Sequence, residues 1–231
     1  MIEFPAPAPT SESQLHTRVG EISGYTLKQL ADIAGLRVPA DLKRDKGWIG
    51  QLLESVLGCT AGNLSEPDFQ LLGIELKTIP INANLTARET TYVCVVPLQD
   101  HIGLQWQDSC VYKKLKRVLW MPVEAEPSIP LAERRIGQGF IWSPDEQTMD
   151  ILQTDWEEFM EQISLGQIDR ITAHQGEYLQ IRPKAANSRC TTQSFGENGL
   201  KKQTLPRGFY LRTSFTNSIL NGFINPNQHQ V

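Results

Sequence analysis

Residues 67–79 read PDFQLLGIELKTI: a carboxylate after a proline, an apolar run, then Glu75-Leu76-Lys77, which breaks that run with two charges. In a β-strand successive side chains alternate, so Glu75 and Lys77 leave the same face. The apolar residues around them, Leu71, Leu72, Ile74, Leu76, Ile79 and Ile81, predict a strand over residues 73–79. Asp68 sits upstream in a turn or short helix, from which it can return to the same spot.

A strand whose charged side faces solvent would show the same alternation. The competing reading is chemical. Phosphodiester hydrolysis needs hard oxygen ligands for Mg²⁺, and two carboxylates hold one or two such ions while leaving positions for water. A lysine beside them orients the attacking water and stabilises developing negative charge. Asp68, Glu75 and Lys77 are the candidate catalytic residues, and the backbone carbonyl of Leu76 is a candidate further ligand for the metal. Glu54, next to the apolar Leu53, is either a surface acid or a third metal-site carboxylate.

Flanking this centre, residues 11–35 read as two helices, the second opening at Thr26 with Gln29 three residues on, a capping-box spacing. Residues 41–57 form an amphipathic helix with Ile49, Leu52, Leu53, Val56 and Leu57 inward and Gly58 as its stop. Strands are expected over 90–97, 117–123, 167–173, 178–182 and 208–212. A long helix covers roughly 145–164, with Ile151, Leu152, Trp156, Phe159, Met160 and Ile163 on one face and its acids on the other. Helices, a mixed sheet and a covering helix make an α/β or α+β fold. Residues 11–224 form one domain between a flexible proline-rich tail (1–10) and a C-terminal tail (225–231). The stretches 82–88 and 193–203 are polar loops.

The 231 residues carry ordinary hydrophobic (40%) and charged (21%) fractions, and no apolar run approaches a membrane span. Cys59, Cys94, Cys110 and Cys190 are scattered, with no C-x-x-C pair and no export signal, which reads as reduced thiols in a cytoplasm. Neither a zinc pattern nor a Walker or dinucleotide glycine loop is present. The net charge of -4 hides a strong asymmetry. Residues 136–169 hold eight acids and no Lys or Arg; residues 170–212 hold eight bases against Glu177 and Glu197; Lys113, Lys114, Lys116 and Arg117 form a second basic cluster. A polyanion meets the local field and not the sum, so the pattern admits DNA, or simply solvated faces.

The segments LKRDKGWIGQLLE (42–54), FQLLGIELKTIP (69–80), ETTYVCVVPL (89–98), KLKRVLWMPVE (114–124), GEYLQIRPKAAN (176–187) and TLPRGFYLR (204–212) resemble those of the MutH family. These are the methyl-directed mismatch-repair endonucleases of the type II restriction-endonuclease superfamily. The resemblance runs from residue 24 to 215 and leaves out both tails and the two polar loops. It implies a restriction-endonuclease-like mixed sheet flanked by helices, in two lobes around a DNA-binding cleft. It also implies a Mg²⁺-dependent nick 5′ to the G of GATC on the unmethylated strand of hemimethylated DNA. The partners it implies are double-stranded DNA and a MutL-type activator, with MutS upstream. Carried over by position, Asp68, Glu75 and Lys77 match the catalytic set and Glu54 the helix glutamate at the metal. Lys46 and Lys114 match lysines near the DNA backbone and active site. Arg182, Pro183 and Tyr210 match positions that discriminate adenine and its methylation. Tyr92, Lys116, Lys184 and Arg207 are further expected DNA contacts.

The methyl group of N6-methyladenine sits on the major-groove edge, where a rigid Pro183 and the phenol of Tyr210 would form a wall against it. A single catalytic set suits a monomer that cuts one strand. The competing class is a DNA-binding module whose acids are structural; a glycoside hydrolase with paired carboxylates leaves Lys77 and the basic segments without a role.

Overall fold

Ser11 and Thr26 each open a helix by accepting a backbone N–H three residues on, and Gln29 closes the capping box by accepting from the Thr26 N–H. The structure, a computed structural model, describes residues 4–42, 45–62, 66–185 and 189–226. In chain order the elements are α1 (Glu12–Ile22), α2 (Leu27–Ile33), α3 (Trp48–Leu57), β1 (Glu75–Ile81), β2 (Thr91–Val95) and α4 (Cys110–Leu115). They continue with β3 (Val118–Glu124), β4 (Phe140–Trp142), α5 (Glu146–Ser164), β5 (Leu179–Pro183), β6 (Thr192–Phe195), β7 (Lys201–Thr204), β8 (Arg207–Leu211) and α6 (Thr213–Ile224). This is an α+β fold with parallel and antiparallel pairing, as the alternation of helical and strand periodicity predicts. No helix among the described residues is long and apolar enough to cross a membrane.

The chain folds as two compact units. The first comprises Met1–Glu89, Arg117–Ser143 and Leu220–Val231; the second comprises Thr90–Lys116 and Pro144–Ile219. In the first, β1 pairs parallel to β3, and β3 pairs antiparallel to β4. One face of this sheet, carrying Leu76, Leu119, Met121 and Val123, joins Leu15, Val19, Leu30, Leu52, Leu53 and Leu57 from the three helices in one buried cluster. Each fully buried Leu of that kind stabilises the fold by about 1.5–3 kcal/mol over an exposed one. By register the other face carries Glu75 and Lys77 beside Val118 and Trp120. It is lined further by aromatic pairs: Trp120 with Trp142 at 6.3 Å between centroids, and Phe140 stacked on Phe223 at 4.0 Å.

In the second unit β8 is the centre of an antiparallel sheet of order β2-β8-β5, and β6 and β7 form a separate hairpin. Leu179, Ile181, Phe209 and Leu211 are buried on one face of that sheet. The α5 residues Leu152, Trp156, Phe159, Met160 and Ile163 are buried as their helical spacing predicts.

Four departures from the sequence expectations have physical causes. The helix expected over 41–57 begins at Trp48, because Gly47 caps it in the left-handed conformation (φ 87°); Lys43 and Arg44 lie outside the described residues. Residues 167–173 hold a 3-10 turn, Ile168–Arg170, in place of a strand: Ile168 and Ile171 are both buried at helical spacing, which strand alternation would not allow. The segment 193–203 carries the β6–β7 hairpin instead of a loop. Asp155 does not lie on the solvent side of α5. It is buried, and its carboxylate accepts from the N–H groups of Glu177, Tyr178 and Leu179 at 2.7–2.8 Å. Three charge-assisted bonds compensate the buried charge and fix the start of β5.

Candidate functional site

Asp68 returns to Glu75 through a tight reversal. Phe69 and Ile74 bridge, the Phe69 N–H donating to the Ile74 carbonyl at 2.9 Å, with Gly73 in the left-handed region (φ 64°). The reversal lays Asp68 along β1, and its Oδ2 accepts from the Leu76 N–H at 2.8 Å. From the other side the Thr60 N–H donates to the Asp68 carbonyl at 2.9 Å. The Glu75 N–H bonds to Arg117 at the start of β3, whereas the Leu76 N–H turns away to Asp68. A residue's N–H and C=O point to the same side of a strand, so the Leu76 carbonyl opens on the β1 edge that carries the Asp68 carboxylate.

Glu75 is almost fully buried (1% exposed), which an isolated carboxylate could not sustain. Its counter-charge is Lys77, whose Nζ donates to Glu75 Oε1 from the same strand face. Glu54, on α3, is half-buried. The thiol of Cys59 reports on all of these acids: its pKa is pushed up first by burial and then by the negative charges of Asp68, Glu54 and Glu75. Three carboxylates therefore act on one sulfur. Among the described residues, no three acid, imidazole or thiol side chains close into a ready-made metal cage. Mg²⁺ does not require one, since it takes one or two carboxylates and keeps several waters. The buried Asp68 and Glu75 carboxylates and the edge carbonyl of Leu76 are hard oxygen donors of the right kind, and Glu54 is a further carboxylate whose charge reaches Cys59 alongside theirs.

Lys46 is exposed in the turn before α3 and lines a cavity of about 660 Å³ with Gly47, Gly50, Thr78, Arg88 and Arg134. The expected catalytic residues Asp68, Glu75 and Lys77, with Glu54, Leu76 and Lys46, all belong to the first unit.

The remaining expected DNA contacts all belong to the second unit. Tyr92 faces Tyr210 across the β2–β8 pairing, and their rings meet edge-on at 5.3 Å. Lys184 lays its Nζ 3.4 Å from the centre of the Tyr92 ring, a cation–π contact. Gln180 and Arg182, opposite Tyr210 and Gly208, share this sheet face. Arg182 is exposed there and donates to the Thr90 hydroxyl at 3.2 Å. Burial raises the pKa of both phenols; for Tyr210 the Arg182 guanidinium pulls the other way. Tyr92, Arg182, Lys184 and Tyr210 are thus brought onto one face.

Pro183 and Arg207 pair with each other one residue out of that alternation, so they belong to the opposite side of the sheet from Tyr210. Arg207 lies 4.0 Å from Asp169. Lys114 is half-buried on α4, and Lys116 at its end is exposed, 5.9 Å from the Tyr112 ring.

The basic segment 170–212 is less open than its composition implies. Lys202 and Arg207 share Asp169, Arg170 pairs with Glu197, and Arg212 donates to the carbonyls of Gly176 and Gln175. Thr90 and Gln180 escaped the sequence reading. The latter had a signal: it lies two residues before Arg182 in the same strand alternation.

A family profile described as DNA mismatch repair enzyme MutH matches residues 57–155, a span that includes Asp68, Glu75, Lys77, Tyr92 and Lys114. The DNA mismatch repair protein MutH of Shewanella baltica (strain OS185) is 57% identical over 92% of this chain and 96% of its own length. That of Escherichia coli O6:K15:H31 is 56% identical over 92% of this chain and 93% of its own. With that identity over 92% of its length, this chain belongs to the MutH family of DNA mismatch repair enzymes.

Proposed function

We propose that the protein is a Mg²⁺-dependent endonuclease that nicks the unmethylated strand 5′ to the G of hemimethylated GATC. It would act as a cytoplasmic monomer under a MutL-type activator, itself downstream of MutS. The observation that carries this reading is the join of Asp68 to the Leu76 N–H, which sets one buried carboxylate beside a second, Glu75, that is already paired with Lys77. Asp68, Glu75, Glu54 and the Leu76 carbonyl would hold the ion. Bound magnesium supplies Lewis acidity to the phosphoryl oxygen and makes a ligated water more acidic.

The chain's own groups do the positioning. Lys77, held by Glu75, orients the water whose oxygen attacks phosphorus, and its positive charge offsets charge growing on the phosphoryl oxygens. The P–O3′ bond breaks, leaving a 3′-hydroxyl and a 5′-phosphate on the G. Lys46 and Lys114 meet backbone phosphate, and Tyr92, Arg182, Lys184 and Tyr210 face the bases. Supercoiled plasmid with and without GATC sites, incubated with Mg²⁺ or with EDTA, tests the proposal. Conversion to nicked circle is expected only with Mg²⁺ and GATC together. DNA binding that is indifferent to Mg²⁺, with no nicking, would make this a binding module.

A further inference from the structure

On the sheet face that holds Tyr92, Tyr210 and Lys184, the central strand carries a glycine. Gly208 is two residues before Tyr210 on β8, opposite Val95 on one side and Arg182 on the other. A Cβ built at Gly208 would lie 3.0 Å from a ring carbon of Tyr210, 3.0 Å from one of Tyr92 and 3.4 Å from Cδ of Lys184. Carbon atoms at van der Waals contact sit about 3.5–4.0 Å apart, so the two rings and the lysine stem already occupy the space that a side chain would need. Glycine weakens a strand interior relative to alanine, because it loses more conformational freedom on folding. Its presence at the middle of a three-stranded sheet therefore calls for a reason, and the three converging side chains provide one.

We infer that Gly208 is a positioning residue for base reading: its missing side chain seats Tyr92, Tyr210 and Lys184 as one preassembled cluster. This rests on the nuclease reading for its functional half and on geometry alone for its structural half. The rings lean over the glycine, the edge-on Tyr92–Tyr210 pair fixes their mutual angle, and the Lys184 ammonium covers the Tyr92 face. Lifting the rings by a few tenths of an ångström moves both tyrosines, and with Tyr92 the face that the Lys184 ammonium covers. Discrimination of one methyl group depends on close fit, so it should be more sensitive to this shift than phosphate binding or chemistry.

The test is Gly208→Ala in the full chain, with 3-fluorotyrosine in place of its five tyrosines. The expected ¹⁹F spectrum shifts at Tyr92 and Tyr210 and not at Tyr25, Tyr112 or Tyr178. Strand-resolved cleavage of hemimethylated GATC duplex should show the preference for the unmethylated strand falling about tenfold, the scale of one methyl group in a fitted pocket. The salt dependence of DNA binding should stay as in wild type. In a Tyr92→Leu/Tyr210→Leu background the same change should have no further effect on strand preference, since Gly208 would have no rings left to seat. If Gly208→Ala alone does not fold, the Gly208→Ala/Tyr92→Leu pair relieves one contact and leaves the Tyr210 shift to be read. Unmoved Tyr92 and Tyr210 resonances overturn the inference whether or not the protein nicks DNA. An unchanged strand preference in a variant that nicks, or an equal loss in the double-Leu background, overturns the functional half. Wild-type protein that never nicks GATC sinks the parent reading, and is told apart by that result.

Discussion

Lys77 has one ammonium and two demands on it: the buried Glu75 beside it, and in the proposed reaction a water and a phosphate. Lys77→Ala should lower single-turnover nicking by roughly three or more decades, about 4 kcal/mol of transition-state stabilisation, while GATC binding persists. Wild-type rates would refute the role. The same change strips a buried carboxylate of its counter-charge, a loss that costs about 3–5 kcal/mol when both partners are desolvated. The unfolding midpoint of Lys77→Ala in EDTA should therefore drop, and adding Mg²⁺ should restore more of it than it adds to wild type. Glu75→Gln, which removes the charge instead of its partner, should abolish nicking at a smaller stability cost. At the reading face, Tyr210→Ser should raise nicking of the methylated strand relative to the unmethylated one in strand-resolved cleavage. Retention of full discrimination would remove Tyr210 from that task. The Glu75–Lys77 pairing on one strand face was legible because alternation has a period of two. The bond from Leu76 N–H to Asp68 was not, since it depends on how residues 69–74 reverse.

The capping box at Thr26 and the apolar stripe of α3 were readable because each is local, complete within one or two helical turns. Elements stabilised from outside their own segment were not. β7 is Lys-Lys-Gln-Thr, with no apolar alternation to mark it; it is defined by its pairing with β6. β4 is only three residues long and takes its order from β3. α5 shows how a pattern rule fails at a single position. Seven of the eight acids in 136–169 fit a solvated reading, but Asp155 is turned inward because three N–H groups at the start of β5 need an acceptor. Asp155→Ala leaves those donors buried without it. The loss should be about 3–5 kcal/mol in denaturant-induced unfolding, and Asp155→Asn, which keeps one acceptor oxygen, should lose less. A change below 1 kcal/mol for Asp155→Ala would show that the helix–strand junction does not depend on it.

Across the whole molecule, composition overstated the bases open to DNA, because Arg170, Lys202 and Arg207 are paired with acids of the protein itself and Arg212 spends its donors on the Gly176 and Gln175 carbonyls. The salt dependence of binding should be correspondingly shallower than eight bases would give. Lys46→Ala and Lys114→Ala should each lower the slope by about one unit without changing preference for GATC. A selective loss of GATC preference in Lys114→Ala, with the slope intact, would contradict the division of labour. The single catalytic set proposed also predicts a monomer in sedimentation and single-strand nicks; paired double-strand breaks from a stable dimer would contradict it. The division of the chain has a further consequence, for biosynthesis. The first unit is completed by residues from Leu220 onward, among them Phe223, which stacks on Phe140. On the ribosome those residues emerge after both stretches of the second unit. The unit proposed to hold the metal therefore cannot finish folding until the unit proposed to read DNA has been made, and a chain stalled before Phe223 leaves the first unit without its closing residues.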